Sequence, residues 1–183
     1  MPRQRHDPTK NLVGFLVGDV AYAVRIEAVR EIVNPLDVVE LPRAPIAVRG
    51  VASFREEVVP VIDLRIRFGL GNGETHRKNK WIIIDVTPRA RSAAHEPTPV
   101  KAAGRFVALV VDAVTEVFGT GGEEMRPAPA LGAGDDLRGI EGVASYGGGL
   151  VFVLDVRAFS AIADAVASVT DPGSVPDRRF GSP

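Results

Sequence analysis

Gly50-Val51-Ala52-Ser53-Phe54 returns later in the chain as Gly142-Val143-Ala144-Ser145-Tyr146, and the neighbouring stretch returns with it. Val58-Val59-Pro60-Val61-Ile62-Asp63-Leu64-Arg65 aligns without a gap on Leu150-Val151-Phe152-Val153-Leu154-Asp155-Val156-Arg157. An upstream pair repeats in the same order: Ala23-Val24-Arg25-Ile26-Glu27-Ala28-Val29-Arg30-Glu31-Ile32 matches Ala108-Leu109-Val110-Val111-Asp112-Ala113-Val114-Thr115-Glu116-Val117. Self-similarity of this kind marks a duplicated architectural unit. The sequence therefore reads as two related subdomains, over residues 12–70 and 71–157.

The repeated runs are short, rich in Val and Ile, and punctuated by Gly, Pro or Asp. That favours strands of about four to eight residues over helices. Strands are predicted over residues 15–17, 21–25, 48–54, 58–64, 81–86, 106–111, 142–145 and 150–156. Many short strands with regular turn signals point to small barrels, because closure removes exposed sheet edges. Apolar residues three apart, as in Ile26, Val29 and Ile32, suggest a helical turn opening residues 26–32 and again residues 111–117. Phe159, Ile162, Val166 and Val169 fall at helical spacing in an Ala-rich stretch, so an amphipathic helix over residues 158–169 is expected to pack on the barrels. Residues 87–104 read as a long surface loop, and residues 1–11 and 170–183 as flexible ends.

Composition narrows the function. With 183 residues, 45% of them hydrophobic and 25% charged, the chain can bury a sizeable core. A formal net charge of −1 provides no global attraction for nucleic acid or an anionic membrane. The basic cluster Arg77, Lys78 and Lys80 has no interleaved aromatic and reads as a solvated loop. One Trp and two Tyr are too few for a stacking platform, which disfavours a nucleic-acid-binding barrel. Cysteine is absent, which removes disulfides, thiolate nucleophiles and Cys-based metal sites. No apolar run approaches the roughly 20 residues that span a bilayer, and no signal peptide is evident at the start. These features suit a cytoplasmic protein.

No motif carries catalysis. His6, His76 and His95 lie in predicted tail or loop, far from any convergent metal geometry. Gly69-Leu70-Gly71-Asn72-Gly73 lacks the strand–helix setting of a dinucleotide loop, and Gly119-Thr120-Gly121-Gly122 lacks the Gly-Lys-Ser/Thr ending of a phosphate loop. Glu56-Glu57, Glu123-Glu124 and Asp135-Asp136 are adjacent residues whose side chains diverge, so none makes an acid/base pair. Asp63 and Asp155 occupy equivalent places, after a strand and two residues before an Arg. Their equivalence favours a structural duty, such as capping the turn after the strand.

Where the copies differ, a shared structural duty is not the reason. Arg55-Glu56-Glu57 stands opposite Gly147-Gly148-Gly149. The glycines read as a tight hairpin turn; the charged residues suit either a solvated turn or a surface offering charge-assisted hydrogen bonds to a partner.

The run Val48-Arg49-Gly50-Val51-Ala52-Ser53-Phe54-Arg55-Glu56-Glu57-Val58-Val59-Pro60-Val61-Ile62-Asp63-Leu64-Arg65-Ile66-Arg67-Phe68 resembles the signature of CheW-like domains. Val29-Arg30-Glu31-Ile32, Arg43-Ala44-Pro45, Val110-Val111-Asp112-Ala113-Val114, Arg126-Pro127-Ala128-Pro129 and Ile140-Glu141-Gly142-Val143 extend the resemblance to about residues 12–162. It implies a mainly β fold of two intertwined SH3-like five-stranded barrels with a C-terminal helix, and neither catalysis nor a cofactor. It further implies two partners: the regulatory domain of a CheA-type histidine kinase, docking on one face of the first barrel, and the cytoplasmic tip of a methyl-accepting chemoreceptor, received in a groove between the barrels. Receptor-contact positions of the family fall on Val29, Glu31, Val39, Gly50 and Arg55, with the acid and the arginine paired and Glu56 beside them. The family pattern places Asn-Leu-Arg-Gly where this chain has Ser53-Phe54-Arg55-Glu56. If that glycine takes a positive φ, Glu56 would cost roughly 1–2 kcal/mol or force another turn. A regulatory module detached from a kinase is the rival within the class; the chain stops soon after its last helix, which favours a stand-alone adaptor.

Overall fold

Short runs of β-branched residues become strands throughout, and the alternation of their side chains places them in successive cores. The computed structural model describes residues 11–71, 79–87, 105–120, 125–128 and 139–170. In chain order the strands are β1 (Asn11–Val17), β2 (Val20–Arg25), β3 (Val29–Val33), β4 (Val48–Phe54), β5 (Glu57–Asp63), β6 (Lys80–Asp85), β7 (Phe106–Val111), β8 (Ala113–Gly119), β9 (Arg126–Pro127), β10 (Ile140–Tyr146) and β11 (Gly149–Leu154). A single helical turn, α1 (Leu64–Arg67), comes after β5, and a 3₁₀ turn over Val156–Phe159 leads into the C-terminal helix α2 (Ser160–Thr170).

Two sheets form, ordered β8-β1-β2-β11-β10-β9 and β3-β6-β7-β5-β4. The second is continuous in sequence, residues 29–111, and is inserted into the first, which is built from residues 11–25 and 113–154. The sheets therefore do not follow a linear division of the chain at residue 70. The repeat explains why. β5 pairs in parallel with β7 through Val61 and Ala108, while β11 pairs in parallel with β2 through Val153 and Ala23. Val61 is the repeat equivalent of Val153, and Ala108 of Ala23. Each copy's early hairpin, β1–β2 or β6–β7, thus pairs with the late hairpin of the other copy, and the two units interlock.

Three apolar clusters result. Ala52, Phe54, Val59, Val61, Trp81, Ile83, Ala108 and Val110 fill the continuous barrel. Leu12, Ala23, Phe118, Ala144, Val151 and Val153 fill the split one. Between the sheets lies the largest cluster, in which Phe15, Ile62, Leu64, Ile82, Ile84, Leu109 and Leu154 meet Phe159 and Ala163 of the C-terminal segment. β6 and β7 are buried on both faces: Trp81 and Ile83 point into the barrel, Ile82 and Ile84 into the shared core. Such strands read as continuous apolar runs, as residues 81–84 do.

Two local expectations change. Residues 26–28 do form a helical turn, but it is one 3₁₀ turn that gives way at once to β3. Over residues 111–117 there is no helical turn: Val114, Thr115 and Val117 extend as β8 and pair with β1, Val114 opposite Phe15 and Val117 opposite Val13. β-Branched residues facing a partner strand override a spacing of three. The histidines and residues 88–104 and 171–183 lie outside the described residues.

The shared duty of the two aspartates is visible. Asp63 caps α1, accepting from the backbone N–H groups of Arg65 at 2.8 Å and Ile66 at 3.3 Å. Its other oxygen accepts from Nε of Arg49 at 2.8 Å and also from Nη2, and the side chain is 1% exposed. Asp155 caps the 3₁₀ turn before α2, accepting from the N–H of Arg157 at 3.0 Å and from its guanidinium at 2.9 Å. The cap is common to both copies; the burial is not.

Candidate partner-binding site on the continuous barrel

The β4–β5 hairpin closes through Arg55 and Glu56, with Phe54 opposite Glu57 as the last pair. Arg55 has φ +46° and Glu56 φ +67°. Two successive left-handed residues make a type I′ turn, whose twist suits a two-residue hairpin. In the equivalent β10–β11 hairpin, Gly147 at +58° and Gly148 at +79° take the same conformation. The turn is therefore common to both copies, but only the second uses the residue that adopts it freely. For an L-residue the left-handed region costs roughly 1–2 kcal/mol.

Glu31 lies on β3, just past a register shift against β6 between Val29 and Glu31. Such a bulge re-aims the side chains beyond it. Oε2 of Glu31 lies 2.7 Å from Nη2 of Arg55. The guanidinium carbon also stands 5.7 Å from the centre of the Phe54 ring. β3 and β4 are the two edges of the continuous sheet, so this pair bridges the seam where the barrel closes. With the Arg55 side chain 62% and the Glu31 side chain 36% exposed, the pair is worth only about 0–1 kcal/mol. Its effect is to orient: charge pairing on one side and a π face on the other fix a long cationic side chain at the barrel rim.

At the other end of β4, the backbone of Val39 crosses Val51, each donating an N–H to the other's carbonyl at 2.8 Å. Val39 keeps its side chain in solvent, 67% exposed. Gly50 makes this crossing possible. Its φ is +144°, and a Cβ there would stand 2.2 Å from the Val39 carbonyl oxygen. The split barrel repeats the device: β9 crosses β10 with Val143 opposite Arg126, and a Cβ on Gly142 would lie 2.5 Å from the Arg126 carbonyl oxygen.

The structure thus brings Glu31 to Arg55, and Gly50 under Val39, along one seven-residue strand about 20 Å long by its rise per residue. Arg55, Glu56 and Val39 are exposed. Gly50 is buried and shapes the surface without forming it, while Val29 is half-buried against the shared core. Sequence reasoning passed over Ile32 and Ile46, exposed apolar residues at 41% and 88% on the same barrel. Reading residues 29–33 as an alternating strand would have separated Glu31 from Ile32 by face; the three-residue spacing hid it. Among the described residues, no three His, Asp or Glu side chains gather as a metal site, and no helix is long and apolar enough to cross a membrane.

Two interlocked small barrels share one core, and the continuous one carries a strained and charged hairpin tip at its rim. The profile of the CheW-like domain matches residues 11–163, and the chain belongs to that family. It is 26% identical to the chemotaxis protein CheW of Rhizobium meliloti (strain 1021), over 80% of this chain and 84% of that protein. It is also 26% identical to the chemotaxis protein CheW of Treponema pallidum (strain Nichols), over 86% and 85%. Among solved structures, the scaffolding protein TtCheW from Thermoanaerobacter tengcongensis superposes with a TM-score of 0.67 at 24% identity, covering 87% of this chain and 92% of that one. That likeness bears out the fold of two SH3-like barrels with a C-terminal helix.

Proposed function

We propose that this chain is a non-catalytic cytoplasmic adaptor that couples the cytoplasmic tips of methyl-accepting chemoreceptors to the regulatory domain of a CheA-type histidine kinase. Family membership supports the class of function. The observation that carries the site is the Glu31–Arg55 pair, 2.7 Å long, holding a cationic side chain at the rim of the continuous barrel. In this reading the receptor tip, a helical hairpin, lies along the β4 edge: Arg55 and Glu56 meet its polar side chains and Val39 its apolar ones. Val29 and Gly50 act from beneath, as supports of the surface. The adaptor reaches the membrane through these protein contacts.

The test is a calorimetric titration of the purified chain against the kinase regulatory domain and against soluble receptor-tip hairpins from the same organism, with Arg55→Ala alongside. Saturable one-to-one binding to the kinase domain is expected, with receptor binding at least about fivefold weaker in Arg55→Ala while kinase binding is retained. Absence of binding to any kinase of this type at high micromolar concentration overturns the proposal.

A further inference from the structure

We propose that Glu56 is a specificity-determining residue of the receptor site, and that its carboxylate selects a receptor tip carrying a Lys or Arg side chain opposite the β4–β5 turn. The inference rests on the adaptor reading above and adds the chemistry of the partner.

The first observation is conformational. Glu56 sits at φ +67°, a region that L-residues other than Asn and Asp rarely enter. The hairpin does not need a side chain there. At the equivalent Gly148, φ is +79°, and nothing lies within 4 Å of where a Cβ would be. The same turn therefore closes the same kind of hairpin with glycine, and without strain.

The second observation is that the strain has no return within the folded chain. Glu56 is exposed, and among the described residues it makes no ion pair or hydrogen bond. Its neighbour Arg55 is already taken by Glu31 at 2.7 Å. The next acid, Glu57, is half-buried, and the nearby Arg105 is already paired with Asp85 at 2.6 Å. Arg55 and Glu31 neutralise each other, so Glu56 leaves one uncompensated negative charge at the tip of the turn. Strained residues that contribute nothing to folding concentrate where a partner is met.

The third observation is position. Glu56 adjoins Arg55, the residue that the adaptor reading places against the receptor. A solvated carboxylate beside an already satisfied arginine offers acceptors and no donor. Its natural complement is a cationic side chain, which gains a charge-assisted hydrogen bond there. A tip with an acid at that point would face two carboxylates and be rejected, so one residue supplies both attraction and exclusion.

The experiment titrates the full chain, Glu56→Gln, Glu56→Lys and Arg55→Ala against soluble receptor-tip hairpins from the same organism, at low salt and at about 0.5 M salt. Glu56→Gln preserves shape and the backbone demand and removes only the charge. It is expected to weaken binding of the preferred tip roughly two- to fivefold at low salt, chiefly through the association rate, and to match the unaltered chain at high salt. Glu56→Lys is expected to lose the preferred tip further and to regain it when the tip's basic residue is exchanged for Glu. If Glu56→Gln binds every tip with the affinity and salt dependence of the unaltered chain while Arg55→Ala binds more weakly, the inference about Glu56 fails and the adaptor reading stands. If the unaltered chain binds no tip, both fail.

Discussion

Gly50→Ala should open the rim of the continuous barrel without altering any exposed side chain. The new Cβ would stand 2.2 Å from the Val39 carbonyl oxygen, 2.8 Å from its carbonyl carbon and 2.9 Å from Cγ1 of Val38. Two of those atoms are backbone, so no side chain can swing aside to make room. Either the backbone at φ +144° stays and the crossing segment lifts, or the strand itself shifts. Lifting breaks the two Val39–Val51 hydrogen bonds, at about 1 kcal/mol each. It also loosens Leu36 and Val38 from the core of the continuous barrel. An Ala forced to keep this φ adds about 1–3 kcal/mol. Together these give a loss of about 3–5 kcal/mol, or about 10 °C in melting temperature for a chain of this size. Urea and thermal melts measure the loss, and amide exchange at Val39 and Val51 shows whether the crossing has opened. A loss below about 1 kcal/mol, with both amides still protected, would refute the close-approach argument. Gly142→Ala should be milder, since its φ is ordinary and the flexible Met125 side chain supplies part of the contact.

Glu56→Gly should raise stability by about 1 kcal/mol in a urea melt, the relief of left-handed strain less the greater freedom of glycine in the unfolded chain; a drop in stability would show that the turn is not strained. Asp63→Ala should cost about 2–4 kcal/mol because it strands Arg49 and two helix-capping N–H groups. Asp155→Ala, at the more exposed equivalent, should cost about 0.5–2 kcal/mol, and equal losses by chemical denaturation would contradict the difference in burial. The hydrogen bond from Arg157 holds the Asp155 carboxyl below its ordinary value of 3.8. A carboxyl lowered in the folded state stabilises above the unfolded value and loses that contribution as pH falls through the folded one. Stability of the unaltered chain should therefore fall more steeply below about pH 4 than that of Asp155→Asn, and parallel acid limbs in pH-dependent melts would refute the coupling.

Much of the fold was legible in residues. The repeat of Gly50 to Phe54 on Gly142 to Tyr146 announced two equivalent hairpins, and the structure gives both the same positive-φ turn. Because Asp63 and Asp155 are equivalent, a capping role could be read before any coordinates, and both do cap. The same logic applies to Gly50. A residue shared by both copies has a structural duty, and the crossing of Val39 over Gly50 and of Arg126 by Gly142 is that duty. β3 and β8 were hidden because three-residue spacing of apolar residues is common to a helical turn and to a strand whose faces are both partly buried. The choice is made by β1 and β6, which lie far away in sequence and offer the edges on which β8 and β3 pair.

The exchange of hairpins could not be read from the repeat itself, only from the family resemblance, and the reason is physical. Because the copies are equivalent, pairing β2 with β5 or with β11 presents nearly the same side chains across the same register. Periodicity, composition and repeat alignment are identical for the swapped and unswapped arrangements. What separates them is how the connecting segments reach and what the shared core gains. In the continuous barrel, residues 29–111 contain every strand of their sheet. As an isolated chain they would still expose Ile62, Leu64, Ile82, Ile84 and Leu109, all fully buried against the split barrel and the C-terminal segment. At about 1.5–3 kcal/mol for each such side chain, that exposure is on the order of 10 kcal/mol, as large as the whole stability of a typical domain. A barrel complete in its hydrogen bonds is therefore incomplete in its core. The rim that carries Glu31, Arg55 and Val39 owes its shape to strands whose other face the second barrel must cover.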